Sequence, residues 1–353
     1  RRWRLNVWQG KSMSNLRKIL ILLPLIFAVS VWGKEQFFSS FYLGVDYDRN
    51  LFCLSPSELT SFLQRQDTVR FPYRSADDLD FTAVGELEVH FSPKNALSLH
   101  LRGHNYLVNQ EKSYGVIGVE FEQRLDRFRR VFLYCRWLPS YLLRYYRPVN
   151  SSRYYPCRFS EQLAGISFQQ QLAKIKIIPG YRFEHYDYIH PFEYYNTAGH
   201  CFELKLNWQQ NTSLRFLSGY NFKLAQAAAK IPDISYREHG IFLALTVRPR
   251  LHLPQMGFRP EYEYRYRLYT AEPVDSAHYG RVDQLHTINL RVDYRFNFGT
   301  VHLWFGPEWR DVKAPYQNKI EEIKEYRTFH AGLGIAVRLK SVSPSPHKQE
   351  GEE

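Results

Sequence analysis

Apolar and charged residues alternate one for one along residues 258–268, which read Phe-Arg-Pro-Glu-Tyr-Glu-Tyr-Arg-Tyr-Arg-Leu. Side chains on a β-strand point to opposite faces in turn. The segment therefore has one wall of Phe258, Tyr262, Tyr264, Tyr266 and Leu268, and another of Arg259, Glu261, Glu263, Arg265 and Arg267. The same alternation returns in 86–91, 97–102, 130–137, 202–208 and 287–296. A chain of many such strands needs a core or a lipid phase on one side and water on the other. Composition favours lipid. The chain holds 26 Tyr, 25 Phe and 7 Trp, yet its mean hydropathy is −0.45. Aromatic strands that are polar on average suit a barrel with an apolar outside and a wet inside.

The spacing predicts an all-β chain: a single antiparallel up-and-down transmembrane β-barrel of about 14 strands, roughly 12–16. Strand starts are expected near Phe38, Phe81, Ala96, Tyr114, Arg130, Ser160, Ala173, Ala198, Ser213, Gly240, Met256, His286, Thr300 and Tyr326. Connections alternate in length. Residues 92–95, 125–128, 170–172, 209–212, 249–255 and 297–299 are short, and 49–80, 109–112, 140–158, 188–197, 227–238, 270–284 and 312–325 are mostly longer. Barrels of this type keep short turns at one rim and long loops at the other. Pro139, Pro179, Pro260 and Pro307 fall inside expected strands, where a missing N–H interrupts the ladder. Local bulges are expected there, helped at two of them by Gly180 and Gly306.

Met13 opens a basic segment, and residues 19–32 are an apolar run too short to span a bilayer as a helix. This pattern reads as a signal peptide over 13–33, with 1–12 an upstream segment of no structural role. The barrel is then 34–340, and 341–353 a disordered polar tail. The net charge of +12 includes +6 from residues 1–33, so the remainder is only moderately basic. No zinc spacing, phosphate loop or basic helix accompanies it, so metal, cofactor and nucleic acid are not expected.

The alternating segments, the loop asymmetry and the leader together resemble porin-type outer-membrane proteins of double-membraned bacteria. Residues 44–52, Gly-Val-Asp-Tyr-Asp-Arg-Asn-Leu-Phe, are similar to the first strand of several outer-membrane barrel families. The resemblance implies an outer-membrane location with both termini periplasmic. It also implies contact with outer-membrane lipid, including lipopolysaccharide, and with the barrel assembly machinery. One departure is the end of the last strand, Val337-Arg-Leu-Lys340, where such barrels commonly carry a terminal aromatic.

By alternation the wet wall takes 18 basic against 10 acidic residues. Arg102, Arg215, Arg259, Arg265, Arg267, Arg291 and Arg295 are the candidate pore-lining bases, since excess Arg attracts anions. The alternative is that these charges pair across strands. Arg144, Arg147, Arg153 and Arg158 interleave with Tyr and are candidate phosphate or lipopolysaccharide contacts, because the guanidinium binds phosphate bidentately. Ser55, Pro56 and Glu58 form a helix-start signature, which predicts a helix from Pro56 to about Gln66. Leu59, Phe62 and Leu63 then form one apolar stripe able to plug the barrel mouth or meet a protein partner at the outer loops. Cys53 and Cys157 share the loop side and are a candidate disulfide, while Cys135 reads as lipid-facing and Cys201 as lumenal. His90, His100, His104, His302 and His330 face the lumen, without a diagnostic catalytic spacing. Three functions follow in order: a narrow channel for small polar or anionic solutes, a non-conducting anchor or assembly barrel, and an envelope-lipid enzyme.

Overall fold

The computed structural model describes residues 36–148, 151–249 and 255–340. The leader, the upstream segment and the tail anticipated above lie outside them. Fourteen strands run in chain order: β1 Gln36–Asp48, β2 Asp78–Ser92, β3 Asn95–Tyr106, β4 Tyr114–Arg124, β5 Arg129–Tyr146, β6 Tyr155–Leu172, β7 Ile175–Tyr188, β8 Thr197–Gln209, β9 Leu214–Ala227, β10 Tyr236–Val247, β11 Met256–Tyr269, β12 Val282–Arg295, β13 Gly299–Lys313 and β14 Tyr326–Lys340. Each pairs antiparallel with its sequence neighbours, and β1 pairs with β14, so the sheet closes into a barrel with no free edge. The short connections gather at one rim and the long ones at the other. Two short helices sit among the long loops: α1 Pro56–Leu63 and α2 Asn318–Lys324.

The outside is greasy. Phe41, Leu43, Leu133, Ile166, Leu204, Ile241, Phe305 and Leu333 are all exposed large hydrophobics. Aromatic residues mark both edges of this belt. Phe91, Phe128, Trp208, Phe296 and Phe298 lie at the turn end, while Trp137 and Phe329 lie toward the loops. The alternation that placed Cys135 outside and Cys201 inside holds, with Cys135 exposed and Cys201 buried. Between His200 and Trp208 on β8 the belt is about 20 Å tall, given ~3.3 Å per residue and a ~40° tilt. The lipid-soluble wall outside and the charged wall inside are the reverse of a water-soluble protein.

The prolines behave differently from expectation in three of four cases. At Pro139 the β5–β6 register shifts between Leu138 and Tyr141, which is a bulge. At Pro179, Pro260 and Pro307 there is none. Each proline stays paired on one side, with Leu204, Leu290 and Phe329 respectively. On its other side the ladder omits two residue pairs and resumes in the same register. Proline lacks one donor, so it costs one neighbour's hydrogen bonding without needing an extra residue. The expected loop 140–158 is also shorter than read. The Tyr-rich arms extend β5 and β6, and Tyr146 pairs with Tyr155.

Candidate functional site

The longest loop, 49–77, folds into its own small core. Leu51, Phe52, Leu54, Phe71 and Tyr73 bury themselves with Tyr106 of β3, and Phe52 stacks on Tyr73 at 3.5 Å between ring centres. α1 starts as the sequence indicates. The Glu58 amide donates to the Ser55 hydroxyl, and the Ser55 amide donates to Glu58, each at 3.2 Å. The helix ends at Leu63, short of the expected Gln66. Leu59 and Phe62 pack on the loop core, but Leu63 is 69% exposed, so the stripe is two residues rather than three.

Arg144 anchors this loop. Its guanidinium meets Glu58 at 2.9 Å, donates to the Phe52 carbonyl at 2.5 Å and also reaches the Cys53 carbonyl. Arg70 holds the other Glu58 oxygen at 2.5 Å. Arg144 is therefore a buried strut rather than an external phosphate clamp. Arg158 donates to the Glu111 carbonyl at 3.1 Å, and only Arg147 and Arg153 of that group stay exposed. Cys53 and Cys157 are both free thiols, so the expected bridge is not formed. Burial pushes the Cys53 thiol pKa up. Lys112, on the neighbouring loop, donates to the Leu142 and Leu143 carbonyls at 2.7 and 3.0 Å, over the Phe52 and Tyr141 rings. Burial lowers its pKa to about 7.

Beneath these loops the lumen opens into a cavity of about 720 Å³. Its wall carries Lys112, Arg136, Arg144, Arg182, Lys223, Arg265, Arg267, Arg281, Arg310 and Lys324, but only four carboxylates, Glu161, Glu184, Glu238 and Glu263. All four are engaged. Arg136 reaches Glu161 at 2.6 Å, Arg267 reaches Glu238 at 2.7 Å and Arg265 reaches Glu263 at 3.0 Å. Glu184 takes both Arg182 and Lys223. Three cations have no carboxylate partner among the described residues: Lys112, whose ammonium is spent on the Leu142 and Leu143 carbonyls, and Arg310 and Lys324. Arg310 donates to the Lys324 carbonyl at 2.8 Å and lies over Tyr326, while the Lys324 ammonium lies over Tyr146 at 5.0 Å. Tyr186, Tyr188, Tyr195, Tyr236 and Tyr269 complete the wall, so the cavity offers surplus positive charge framed by phenol rings.

Over the whole lumen the expected balance changes on both sides. Asp46, Asp48, Asp80, Glu161, Glu238 and Asp283 also face inward by alternation, and Lys112, Arg144, Arg281 and Lys324 also line the cavity. Three more of the expected pore-lining arginines are also paired or bridged. Arg259 meets Glu261 at 2.6 Å and Arg291 meets Asp293 at 2.6 Å, while Arg215 donates to Asn207 at 2.8 Å. Arg102 and Arg295 have no carboxylate partner among the described residues, and neither has Arg215, Arg248 or Lys176. Charge is instead separated across the lumen. Asp46, Asp80, Glu86, Glu88, Glu120 and Glu122 line β1, β2 and β4. Lys176, Arg215, Arg248 and Arg295 gather near the turn end of β7, β9, β10 and β12.

Three of the lumenal histidines sit close on acids. His90 meets Glu88 and His104 meets Asp80, both at 2.5 Å, and His302 meets Asp293 at 2.7 Å. Thr82 and Asp80 both approach the same His104 Nδ1, so this hydroxyl, ring and acid form no relay across the imidazole. Lys112 and Lys324 were missed from sequence. Both lie in polar loops, where nothing in the local pattern marks a lysine that turns into the lumen.

No family model matches this chain, and no curated protein does. Among solved structures it is similar to outer-membrane porins and channels. Outer-membrane expressed OmpT of Vibrio cholerae is 10% identical, with 86% of this chain and 97% of that one covered and a TM-score of 0.47. The outer membrane channel DcaP of Acinetobacter baumannii is 8% identical over 86% and 97%, with a TM-score of 0.46. An anion-selective porin from Comamonas acidovorans is 6% identical over 86% and 99%, with a TM-score of 0.40.

Proposed function

We propose that this barrel is a bacterial outer-membrane channel for small anionic solutes, with its loops outside and both termini periplasmic. The observation that carries the reading is the loop-end cavity, where every carboxylate is already held and Arg310 and Lys324 remain. An entering carboxylate or phosphate would meet these two cations first, in a space large enough for a small organic anion. The phenol rings supply hydrogen-bond donors and flat faces without adding charge. The unpaired bases at the turn end would continue the attraction on the exit side.

Planar-bilayer recording of the purified protein tests this. Discrete conductance with a reversal potential that favours chloride in a salt gradient supports it. Cation preference, or no conductance from a correctly folded barrel, refutes it. The packed core of loop 49–77 favours a second reading, in which the mouth is closed and the barrel serves as an anchor or assembly part. Deleting 55–67 distinguishes the two. Conductance that rises on deletion means that α1 restricts a pore, and silence in both forms means that there is none.

A further inference from the structure

The lipid-facing wall is not uniform. On β5, β6 and β7 the outward row Trp137–Gln162–His185 lies next to the row Cys135–Ala164–Phe183. The small residues Cys135 and Ala164 leave a groove of about 520 Å³ on the outside of the barrel, walled by Val119, Trp137 and Phe183. Its end nearer the loops is polar, formed by Gln162 and His185. Those two side chains are unusual on this surface. The other outward histidines each share a hydrogen bond with a tyrosine hydroxyl: His200 with Tyr181 at 2.7 Å, His239 with Tyr220 at 2.7 Å and His286 with Tyr262 at 3.0 Å. Gln162 and His185 have no such partner among the described residues. Polar groups at the edge of a hydrocarbon phase need a partner, and lipid tails offer none.

We infer that this groove holds one acyl lipid, its chain lying on Cys135 and Ala164 and its phosphate-bearing headgroup hydrogen-bonded by His185 and Gln162. The position argues for this occupant. The groove lies in the apolar belt, where a chain is the surrounding solvent. Its two unsatisfied donors sit at the belt edge, where headgroup oxygens begin. The imidazole and the carboxamide each have an N–H to give, and phosphate oxygens accept strongly. The inference needs the barrel to lie in a membrane, but holds whether or not the lumen conducts.

Native mass spectrometry of the detergent-solubilised protein tests it, titrated with dimyristoylphosphatidylglycerol and, separately, with dimyristoylglycerol, which lacks the phosphate. The unmodified protein is expected to retain one phosphatidylglycerol and to bind the neutral lipid about tenfold less tightly. Ala164→Trp fills the floor and should abolish that single retained lipid. Ala331→Trp, on the outer face of β14, should leave it. His185→Phe with Gln162→Leu keeps the groove and should erase the preference for the phosphate-bearing lipid, which keeps the idea testable if Ala164→Trp fails to fold. Equal binding of both lipids by the unmodified protein, or retention unchanged in the double variant, overturns the inference. So does an oligomer that Ala164→Trp dissociates while no lipid is bound, because the groove would then be a contact between copies.

Discussion

Replacing Arg215, Arg248 and Arg295 together by glutamine removes three bases that have no carboxylate partner, near one end of the lumen. A permeant ion passing about 8 Å from one of these charges feels ~0.5 kcal/mol at the dielectric constant of water. A Debye length of about 10 Å at 0.1 M salt cuts this to ~0.2 kcal/mol. Three such charges amount to ~0.7 kcal/mol, favourable for an anion and unfavourable for a cation. Removing them should lower anion entry about threefold and raise cation entry about threefold, so the anion-to-cation permeability ratio falls about tenfold. Reversal potentials across a salt gradient in planar bilayers measure that ratio directly. The control removes a pair, Arg259→Gln with Glu261→Gln, which meet at 2.6 Å. Its net charge is unchanged, so its selectivity should be too. A triple variant within twofold of the parent, or a control that shifts as much as the triple, would refute the view that unpaired bases set the field.

Four further outcomes are expected. On intact cells, in a background lacking the native cysteines, a cysteine at Val274 should react with an impermeant maleimide and one at Thr212 should not, and the reverse pattern would invert the orientation. Glu58→Ala should cost about 3–5 kcal/mol of local stability by stranding the buried Arg144, so loop 49–77 becomes sensitive to protease while the barrel keeps its heat-modifiable mobility on gels. Leu333→Arg on the lipid wall should destabilise the folded barrel by about 2–4 kcal/mol in urea titrations in lipid vesicles if it lies near the midplane. The pKa of Lys112 falls from its ordinary 10.5 to about 7 in the folded protein. Between those values the unfolded loop binds a proton that the folded loop does not, so loop stability should rise with pH from 7 upward and be lost as pH falls to 7. Amide exchange of the loop should show that rise, and Lys112→Met should flatten it.

Strand number, order and facing were legible because the physics behind them is local. A period of two is written into each segment, and a closed barrel only has to join neighbours. The expected start at Tyr114 and those at Met256 and Tyr326 coincide with the observed ones. Much of the charge pairing was also local in hindsight. Arg259 with Glu261, Arg265 with Glu263 and Arg291 with Asp293 are two apart on one strand, hence on one face. Counting bases against acids overlooked this, and also missed inward acids such as Asp46 and Asp80 near the strand ends. The cavity was not legible. Arg144 sits in an Arg-Tyr run that looks like a surface clamp, and its partner Glu58 is 86 residues away. Lys324 and Arg310 meet only because α2 folds back over β13. Contacts between separate loops depend on tertiary packing that no periodicity encodes.

The distribution of pairing bears on transport itself. A pore lined by unpaired arginines throughout would bind anions so continuously that they would leave slowly. Here much of the basic wall is neutralised, with Arg259, Arg265, Arg267 and Arg291 each holding a carboxylate. Apart from Arg102 between them, the bases without a carboxylate gather at the two ends, Arg310 and Lys324 under the loops and Arg215, Arg248 and Arg295 near the turns. On the proposed reading an anion meets an attractive site at each end and a weaker field between them. That profile favours entry without a deep central trap. It also assigns different effects to the two ends. Neutralising Arg310 and Lys324 should weaken block by a slowly permeating organic anion added at the loop side. Neutralising the turn-end cluster should change small-ion selectivity more than block. If block and selectivity move together in both variants, the lumen acts as one continuous well and the two-site picture fails.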